Sequence, residues 1–334
     1  MEPILATDGQ ALQVLRSEFP NLPAEELPSY RIRYASGSMT WNMGRQLPRI
    51  GLACLREHQV IARLVRRYEP LAIISDNRFG CFHAQTPSVF ISHQLNIRTA
   101  SPPLTRWVNR LNHSFLRQYD ECWVPDWKGK GNLSGALSSP LPLPESTFFM
   151  GHLTRFQLLP AEESGYDIVF LLSGPEPQRT VFENLLLDQS RTLAARCLML
   201  GGKTDERTSL QGNGLLAYVP FMGSSALREV LATARLVVCR SGYSTLMDLS
   251  VLGKRALLVP TPGQTEQEYL AQRISQAGWC YSQKQSALDL SIDVPKAFSF
   301  PGLPPQPPND LTPFLKKWLE RIRYPLESTR SLAQ

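Results

Sequence analysis

The sequence predicts an α/β fold in which helices cover both faces of parallel sheets. Two observations predict it: short apolar runs bounded by turn residues recur along the chain, and helical stretches separate several of them. Strands that alternate with helices form parallel sheets, because each helix carries the chain back to the starting edge of the sheet. With 334 residues, the chain is long enough for two such domains or for one large domain.

Each predicted strand is a short apolar run bounded by turn residues. The predicted strands are 4–6, 71–75, 88–92, 121–124, 167–173, 196–200, 214–219, 236–239 and 256–260. Each predicted helix has apolar residues at helical spacing. The predicted helices are 11–19, 47–68, 177–190, 225–233, 244–252, 266–277 and 314–322. Residues 129–147 and 152–166 are predicted to be connections, and the proline-rich segment 291–313 is predicted to be irregular.

Composition places the chain among ordinary globular proteins. Apolar residues make up 43% and charged residues 19% of the chain, which excludes global disorder. The net charge of +6 is too small to indicate a nucleic-acid partner by itself. No apolar run approaches the roughly 18 residues of a membrane-spanning helix, and the segment from Met1 lacks the charged and apolar regions of a secretory signal. We therefore expect a cytoplasmic protein.

The six cysteines also favour a cytoplasmic location. None lies in a Cys-x-x-Cys pair, and most lie within apolar stretches such as 52–55 and 237–239. This pattern favours buried, reduced thiols and indicates neither a metal site nor a disulfide framework.

Most of the excess positive charge falls in the first half of the chain, on and beside the predicted helix 47–68. The arginines concerned are Arg45, Arg49, Arg56, Arg63, Arg66 and Arg67. Two interpretations stay open. The helix packs on the core and exposes a solvated basic face, or the basic face attracts the anionic groups of an acceptor or a membrane surface.

Polar residues follow two neighbouring strands of the first half. Asp76 comes after strand 71–75, and His93 comes after strand 88–92. Because ligands of open parallel sheets bind outside the carboxyl ends of the strands, both residues are candidates for a site. Either side chain could take the proton of an attacking hydroxyl group. The alternative is that Asp76 caps a turn and that His93 is an ordinary loop histidine.

Turns suited to an anionic ligand follow the strands of the second half. Gly174 lets the backbone approach a ligand, Arg179 starts a helix, and Lys203 adds a cation after strand 196–200. The alternative for each turn is a plain turn with a helix cap.

The segment after strand 236–239 carries the strongest signal. Gly242 permits a tight turn, and Ser244 and Thr245 can cap a helix whose first amides would face a diphosphate. Asp248 could accept hydrogen bonds from ribose hydroxyls. Glu266 and Gln267 stand at the next helix start, where they could bind sugar hydroxyls.

Three segments of the second half, 172–179, 240–248 and 260–270, resemble the C-terminal donor half of MurG-like glycosyltransferases, which are family 28 enzymes of the GT-B architecture. Segments 74–80 and 91–95 resemble an uncharacterised bacterial branch of such proteins. The resemblance covers nearly the whole chain, and residues 240–270 are its specific part.

The resemblance implies two Rossmann-like domains that face a cleft. Residues 1–155 would form the acceptor side, residues 156–310 would bind the nucleotide sugar, and a helix within 311–334 would cross back to the first domain. The implied donor-binding residues are Gly174, Arg179, Lys203, Phe221, Met222, Ser241, Gly242, Tyr243, Ser244, Thr245, Asp248, Gln264, Glu266 and Gln267.

The implied activity is the inverting, metal-independent transfer of N-acetylglucosamine or another hexose from a UDP-sugar to a lipid or glycan acceptor. No cofactor and no nucleic acid is expected, and contact with the inner membrane face is a further expectation. Two alternatives are a protein that binds a nucleotide sugar without catalysis and a UDP-sugar epimerase of the same architecture. No Gly-x-Gly-x-x-Gly follows a strand, which argues against a dinucleotide oxidoreductase.

The chain departs from the family pattern at its start. The resemblance implies a first strand and a Gly-rich loop, but the chain begins at the segment equivalent to the second strand. We expect either a gap between strands 4–6 and 71–75 or direct pairing of the two. A shortened gene start would explain the departure, and it predicts an in-frame Gly-rich loop in the upstream DNA.

Overall fold

The structure is a computed structural model that describes residues 2–30, 39–99, 101–129, 131–139, 146–156, 165–203, 211–306 and 309–323. These residues form three sheets, two in the first half of the chain and one in the second. Parts of the predicted connections, 140–145 and 157–164, lie outside the described residues, as do residues 324–334 of the predicted final segment.

The first half contains two separate parallel sheets. Its strands are β1 (Leu5–Thr7), β2 (Ala24–Glu26), β3 (Ile73–Asp76), β4 (Ser88–Ile91), β5 (Glu121–Val124) and β6 (Thr147–Phe149). β1 pairs with β2 alone, while β3, β4, β5 and β6 form a four-stranded sheet in that order. All three neighbouring pairs of the larger sheet are parallel, so the carboxyl ends of all four strands meet at one edge.

The second half contains a seven-stranded sheet. Its strands are β7 (Ile168–Leu171), β8 (Cys197–Leu200), β9 (Gln211–Asn213), β10 (Leu216–Val219), β11 (Leu236–Cys239), β12 (Ala256–Leu258) and β13 (Tyr281–Ser282). Their order is β13–β12–β11–β7–β8–β10–β9, and every pair except β9–β10 is parallel. The order in which the chain adds strands switches sides between the parallel neighbours β7 and β11, and an open α/β sheet binds its ligand at such a switch point.

Helices connect and cover these strands. They are α1 (Gly9–Glu18), α2 (Met39–Tyr68), α3 (Pro102–Leu116), α4 (Gln178–Ser190), α5 (Ser224–Thr233), α6 (Tyr243–Val251), α7 (Thr265–Gln276), α8 (Leu290–Phe298) and α9 (Thr312–Arg323). Within the described residues, no helix has the length and apolarity that a bilayer crossing would need.

Helices bury the central strands of the second sheet on both faces. Val237 and its neighbour Val238 are both fully buried. Val237 packs in one apolar cluster and Val238 packs in another. Because successive side chains of a strand point to opposite faces, a strand buried on both sides is apolar throughout. This is why the short apolar runs of the sequence predict these strands correctly.

The described residues contain every predicted strand and helix, with ends shifted by a few residues. The largest shift concerns α2, which begins at Met39, so that Pro48 lies inside the helix and not in its first turn. The structure adds elements that the sequence analysis did not predict: β2, β6, β9, β13 and α3.

One prediction for the second half is wrong. Segment 291–313 was expected to be irregular, but α8 occupies its first part. The Asp289 carboxylate caps this helix by accepting the Ser291 N–H at 3.0 Å, and Leu290 and Val294 are buried. Apolar packing of one face therefore outweighs the cost of Pro295 within the helix.

β1 and β3 do not pair with each other. Of the two arrangements expected for strands 4–6 and 71–75, the structure therefore has the gap and not the direct pairing. A groove of about 680 Å³ lies between them. Ile4, Ile61, Ile74 and Leu315 are among its apolar lining residues.

The final helix, α9, packs against the first half of the chain. Trp318 is 4% exposed, and its ring meets the Trp123 ring edge-on at 4.9 Å. Arg321 pairs with Glu121 at the start of β5. The chain therefore returns to the four-stranded sheet after completing the second half.

Candidate active site

Asp76 and His93 lie at the same edge of the four-stranded sheet. Asp76 ends β3 and pairs in register with Ile91, two positions before His93. The Asp76 side chain is exposed at the rim, yet the protein atoms around it raise its pKa above the ordinary value by desolvation, and the nearby His93 imidazole opposes this rise. The two candidate bases therefore share one site.

His93 also contacts the second half of the chain. Its Nε2 lies 2.7 Å from the Oε1 of Glu266 in the first turn of α7. Its ring stacks on the ring of Tyr243, the first residue of α6, with centroids 4.0 Å apart and an interplanar angle of 1°. The starts of α6 and α7 thus face the edge of the first-half sheet that carries Asp76 and His93.

The first turn of α6 offers open backbone amides. Gly242 is its N-cap with φ −69° and ψ 142°, and no side chain caps the helix. The Leu246 N–H bonds to the Gly242 carbonyl, but the N–H groups of residues 243–245 have no hydrogen-bond partner within the described part of the chain. Uncapped amides at a helix start, with the positive end of the helix dipole, attract an anion such as a phosphate.

A buried cation lies directly before these amides. Arg240 is 1% exposed, and burial lowers the pKa of its guanidinium to about 10. It donates to the carbonyl oxygens of Val259, Pro260 and Gln178 and to Oε1 of Gln285, at 2.7–3.2 Å. All four acceptors are neutral, and no carboxylate lies within ion-pair distance of Arg240 among the described residues. Its guanidinium also lies over the Phe182 ring, 4.0 Å from the ring centroid, and it ties together the loops that follow β11 and β12 and precede α4.

Asp248 lies one helical turn further along α6. Burial raises the pKa of its carboxyl above the ordinary value, and a hydrogen bond from Thr154 opposes the rise. The Thr154 hydroxyl donates to Oδ1 of Asp248 at 2.5 Å. Oδ2 of Asp248 accepts no hydrogen bond from any described residue, which keeps it available for a ligand hydroxyl.

Comparison with known proteins identifies the second half. Residues 175–297 match the glycosyltransferase family 28 C-terminal domain. These residues therefore form a glycosyltransferase family 28 C-terminal domain. The matched residues contain the α6 start, the Arg240 network and Asp248, whereas Asp76 and His93 lie outside the match. The chain is a glycosyltransferase, and it resembles MurG-like enzymes.

Two curated relatives extend the similarity over most of this glycosyltransferase. One is an uncharacterized glycosyltransferase of Methanopyrus kandleri, 22% identical over 83% of this chain and 82% of the relative. Another is the UDP-N-acetylglucosamine–N-acetylmuramyl-(pentapeptide) pyrophosphoryl-undecaprenol N-acetylglucosamine transferase of Rhodospirillum centenum, 26% identical over 78% of this chain and 69% of the relative.

Solved structures show the same fold. Acinetobacter baumannii MurG superposes with a TM-score of 0.53 at 12% identity, covering 96% of this chain and 91% of MurG. The spinosyn rhamnosyltransferase SpnG superposes with a TM-score of 0.57 at 15% identity, covering 95% of this chain and all of SpnG. The glycosyltransferase described here therefore has the GT-B fold that the sequence predicts.

Several residues predicted to bind the donor do lie open. Gly174 has φ 102°, a conformation that favours glycine, and a Cβ there would meet no atom within 4 Å. Gly242 is equally open, and Ser244 is exposed at the α6 start. The others that keep some solvent exposure are Lys203, Phe221, Met222, Thr245, Asp248, Gln264, Glu266 and Gln267.

The roles predicted for Ser244, Thr245 and Gly242 need correction. Gly242 itself is the N-cap, so the hydroxyls of Ser244 and Thr245 do not cap α6. The φ of Gly242 is negative, which any residue can adopt, so the backbone does not require glycine for a turn there. What glycine provides at this position is open space beside the amides.

Other predicted donor residues are engaged inside the protein. Ser241 is fully buried and donates to the Gln267 carbonyl, while the Gln267 side chain accepts the Thr261 N–H at 2.9 Å. Tyr243 is 3% exposed and stacks on His93, so it does not line an open donor site. The first turn of α7 brings Glu266 to His93.

The two predicted cations of the donor site are already paired. Arg179 is 6% exposed and bonds to Glu176 and Glu183, which neutralise its charge. Lys203 lies 3.6 Å from the same Glu183 carboxylate. Arg240, a buried cation with no carboxylate partner among the described residues, is absent from the residues predicted from the sequence. The signal that could have revealed it is a charged residue directly after four buried apolar ones.

A buried polar cluster at the junction of the halves was also missed. Asp126 is fully buried, and its carboxylate accepts hydrogen bonds from the Ser134 N–H and hydroxyl, with Nε2 of His152 3.3 Å away. Burial favours a higher pKa for Asp126, but the contacts with His152 and Ser134 outweigh it and hold the pKa below the ordinary value. No motif marks these residues, because they meet only in the folded chain.

Proposed function

We propose that this glycosyltransferase transfers a hexose, N-acetylglucosamine first among the candidates, from a UDP-sugar to a lipid or glycan acceptor with inversion and without a metal. The observation that carries the proposal is the uncapped start of α6, which faces His93 across the contact between the halves. The curated relative of Rhodospirillum centenum is named for a transfer from UDP-N-acetylglucosamine to a lipid-linked acceptor, which supports this choice of donor.

The proposed mechanism stabilises the leaving diphosphate electrostatically. Breaking the bond between the sugar and the diphosphate places negative charge on the diphosphate. We assign the balancing of this charge to the open amides of residues 243–245 and to the charge of Arg240, which has no carboxylate partner among the described residues. Preorganised dipoles and charges of this kind do the work that a metal ion does in other transferases.

The sugar and nucleoside would be held beside these amides. In the proposed pose, Asp248 accepts the ribose hydroxyls, Phe221 and Met222 contact the uracil ring, and Gln264 contacts the donor sugar. Asp76 or His93 takes the proton of the acceptor hydroxyl.

Asp248→Ala should weaken UDP binding about tenfold, which corresponds to about 1.4 kcal/mol, because the ribose hydroxyls lose a charged acceptor. Calorimetric titration with UDP and with UDP-N-acetylglucosamine measures the affinity, and an assay of UDP release measures turnover. We expect the wild-type protein to bind both ligands and to release UDP.

Asp188→Ala is the matched control, because Asp188 is an exposed acid of the same domain with no hydrogen bond to another described residue. It should leave both measurements unchanged. Equal UDP affinity in wild type and Asp248→Ala would contradict the assigned role. Failure of the wild-type protein to bind any nucleotide sugar would contradict the proposed function, and turnover of a sugar nucleotide to its epimer would favour the epimerase.

We also propose that the first half contacts the inner face of an anionic membrane. Two helices expose apolar residues beside arginines: Leu52 and Leu55 on α2, and Trp107 and Leu111 on α3, are 37–64% exposed. On α3, Trp107 and Leu111 lie one turn apart and are adjacent to exposed Arg106 and Arg110. Exposed tryptophan and leucine with neighbouring arginines suit the boundary between lipid headgroups and acyl chains.

The double variant Trp107→Ala/Leu111→Ala should lower binding to vesicles about tenfold, because two apolar side chains no longer enter the headgroup region. Cosedimentation with phosphatidylglycerol vesicles and with phosphatidylcholine vesicles measures it. Val181→Ala/Leu215→Ala removes exposed apolar side chains from the second half and should have no effect. Equal binding of wild type and the α3 variant would contradict the assignment of this surface.

A further inference from the structure

We propose that Glu266 and Tyr243 are positioning residues that make His93, and not Asp76, the general base. The inference rests on the transferase activity proposed above. It decides between the two bases that the sequence leaves open, and it gives Glu266 a role different from contact with the donor sugar.

Glu266 orients the imidazole of His93 through a short contact. His93 Nε2 and Glu266 Oε1 are 2.7 Å apart, and the two side chains are 21% and 30% exposed. A carboxylate only accepts hydrogen bonds, so in the neutral imidazole Nε2 carries the hydrogen and Nδ1 keeps its lone pair. Within the described residues, Nδ1 of His93 takes part in no hydrogen bond. The nitrogen that can accept a proton is therefore Nδ1.

Tyr243 holds the plane of the imidazole. The rings are parallel and 4.0 Å apart, and Tyr243 is itself fixed because its hydroxyl donates to the Pro125 carbonyl at 2.9 Å. With Glu266 at the ring edge and Tyr243 at the ring face, rotation of the His93 side chain is restricted in both directions. A base held in one orientation loses little entropy when it reacts.

Asp76 has no comparable support. Its carboxylate is exposed and makes no hydrogen bond to any described residue. It lies near His93, where its negative charge can help to stabilise an imidazolium. These contacts favour His93 as the base and Asp76 as an electrostatic partner.

The proposed step balances in atoms and charge. The acceptor O–H bond breaks and its proton moves to Nδ1 of His93. The oxygen electron pair forms a bond to the anomeric carbon, while the bond from that carbon to the diphosphate oxygen breaks and its electron pair leaves with UDP. The Glu266 carboxylate then faces the positive imidazolium, which it stabilises.

The halves of the chain share this assembly. His93 follows β4, whereas Tyr243 and Glu266 begin α6 and α7. The base is therefore oriented only when the donor half lies against the first half, and the same helix start that would hold the diphosphate also holds the base.

The first test is the tautomer of His93, measured by the ¹⁵N chemical shifts of its imidazole at about pH 8, where an ordinary histidine is neutral. The His93 signal is assigned by its loss in His93→Gln. We expect the Nε2–H tautomer in wild type and in Glu266→Gln, which keeps an acceptor oxygen, and a mixture in Glu266→Ala. Glu268→Ala, an exposed acid in the same turn, is the control. An unchanged tautomer in Glu266→Ala would overturn the role of Glu266.

The second test is turnover, measured as UDP release from UDP-N-acetylglucosamine. Glu266→Ala and Tyr243→Leu should lower kcat about tenfold to a hundredfold while the donor KM stays within about twofold, and Tyr243→Phe, which keeps the stacked ring, should restore most of the loss. A raised donor KM with an unchanged kcat in Glu266→Ala would overturn the proposal in favour of a sugar contact. If wild type itself releases no UDP, the proposed function fails, while the tautomer still decides whether Glu266 orients His93.

Discussion

Replacing His93 with alanine should lower kcat for UDP release by about two to four orders of magnitude, because the acceptor hydroxyl loses its general base. UDP affinity should change little, since the amides at the α6 start and Asp248 are untouched. Steady-state kinetics with UDP-N-acetylglucosamine and calorimetry with UDP measure the two effects separately. His83→Ala, which removes a half-buried turn histidine of the same domain, should keep the wild-type kcat.

Asp76→Asn distinguishes the two candidate bases. Desolvation raises the pKa of Asp76, so its carboxylate becomes protonated at a higher pH than an ordinary aspartate would. If Asp76 were the base, kcat would fall as the pH drops through that raised pKa, and this fall would vanish in Asp76→Asn together with most of the activity. We expect instead that Asp76→Asn keeps more activity than His93→Ala. The reverse order would contradict the assignment of His93.

Arg240→Met should lower the free energy of unfolding by about 2–3 kcal/mol. Three backbone carbonyls, of Gln178, Val259 and Pro260, lose their donor, and each unpaired buried polar group costs about 1–3 kcal/mol. The gain from no longer burying a cation offsets part of this cost. Urea denaturation measures the change.

The same variant should weaken UDP binding at least about tenfold, because the diphosphate loses a nearby charge and the loops around it lose their common anchor. Arg191→Met, an exposed arginine at the end of α4, is the matched control and should change neither stability nor UDP affinity. Wild-type stability together with wild-type UDP affinity in Arg240→Met would contradict both roles.

The central strands of the second half were predictable because burial on both faces forces a contiguous apolar run, as in Leu236–Cys239. α3 and α8 were missed because Pro102 and Pro295 suggest an interruption. In α3, however, proline occupies the first turn, where its missing N–H costs nothing, and in α8 the packing of Leu290 and Val294 decides. The position of the proline therefore explains α3, whereas apolar packing explains α8.

For the site, the sequence predicted where residues lie but not which way their side chains point. Residues at the ends of strands, such as Asp76 and His93, were predictable because parallel strands bring their carboxyl ends together. Whether a side chain at such an end faces a ligand or the protein was not predictable. Arg179 and Ser241 are engaged internally, while Arg240 is the buried cation, and only three-dimensional packing separates these cases.

By itself, the sequence determined the α/β architecture and the position of the open helix start after β11, since both follow from local apolar patterning and glycine placement. Only the tertiary structure decided that Glu266 and Tyr243 meet His93, residues separated by about half the chain. Contacts between residues so distant in sequence depend on how two independently packed sheets come together, and no local pattern encodes that geometry.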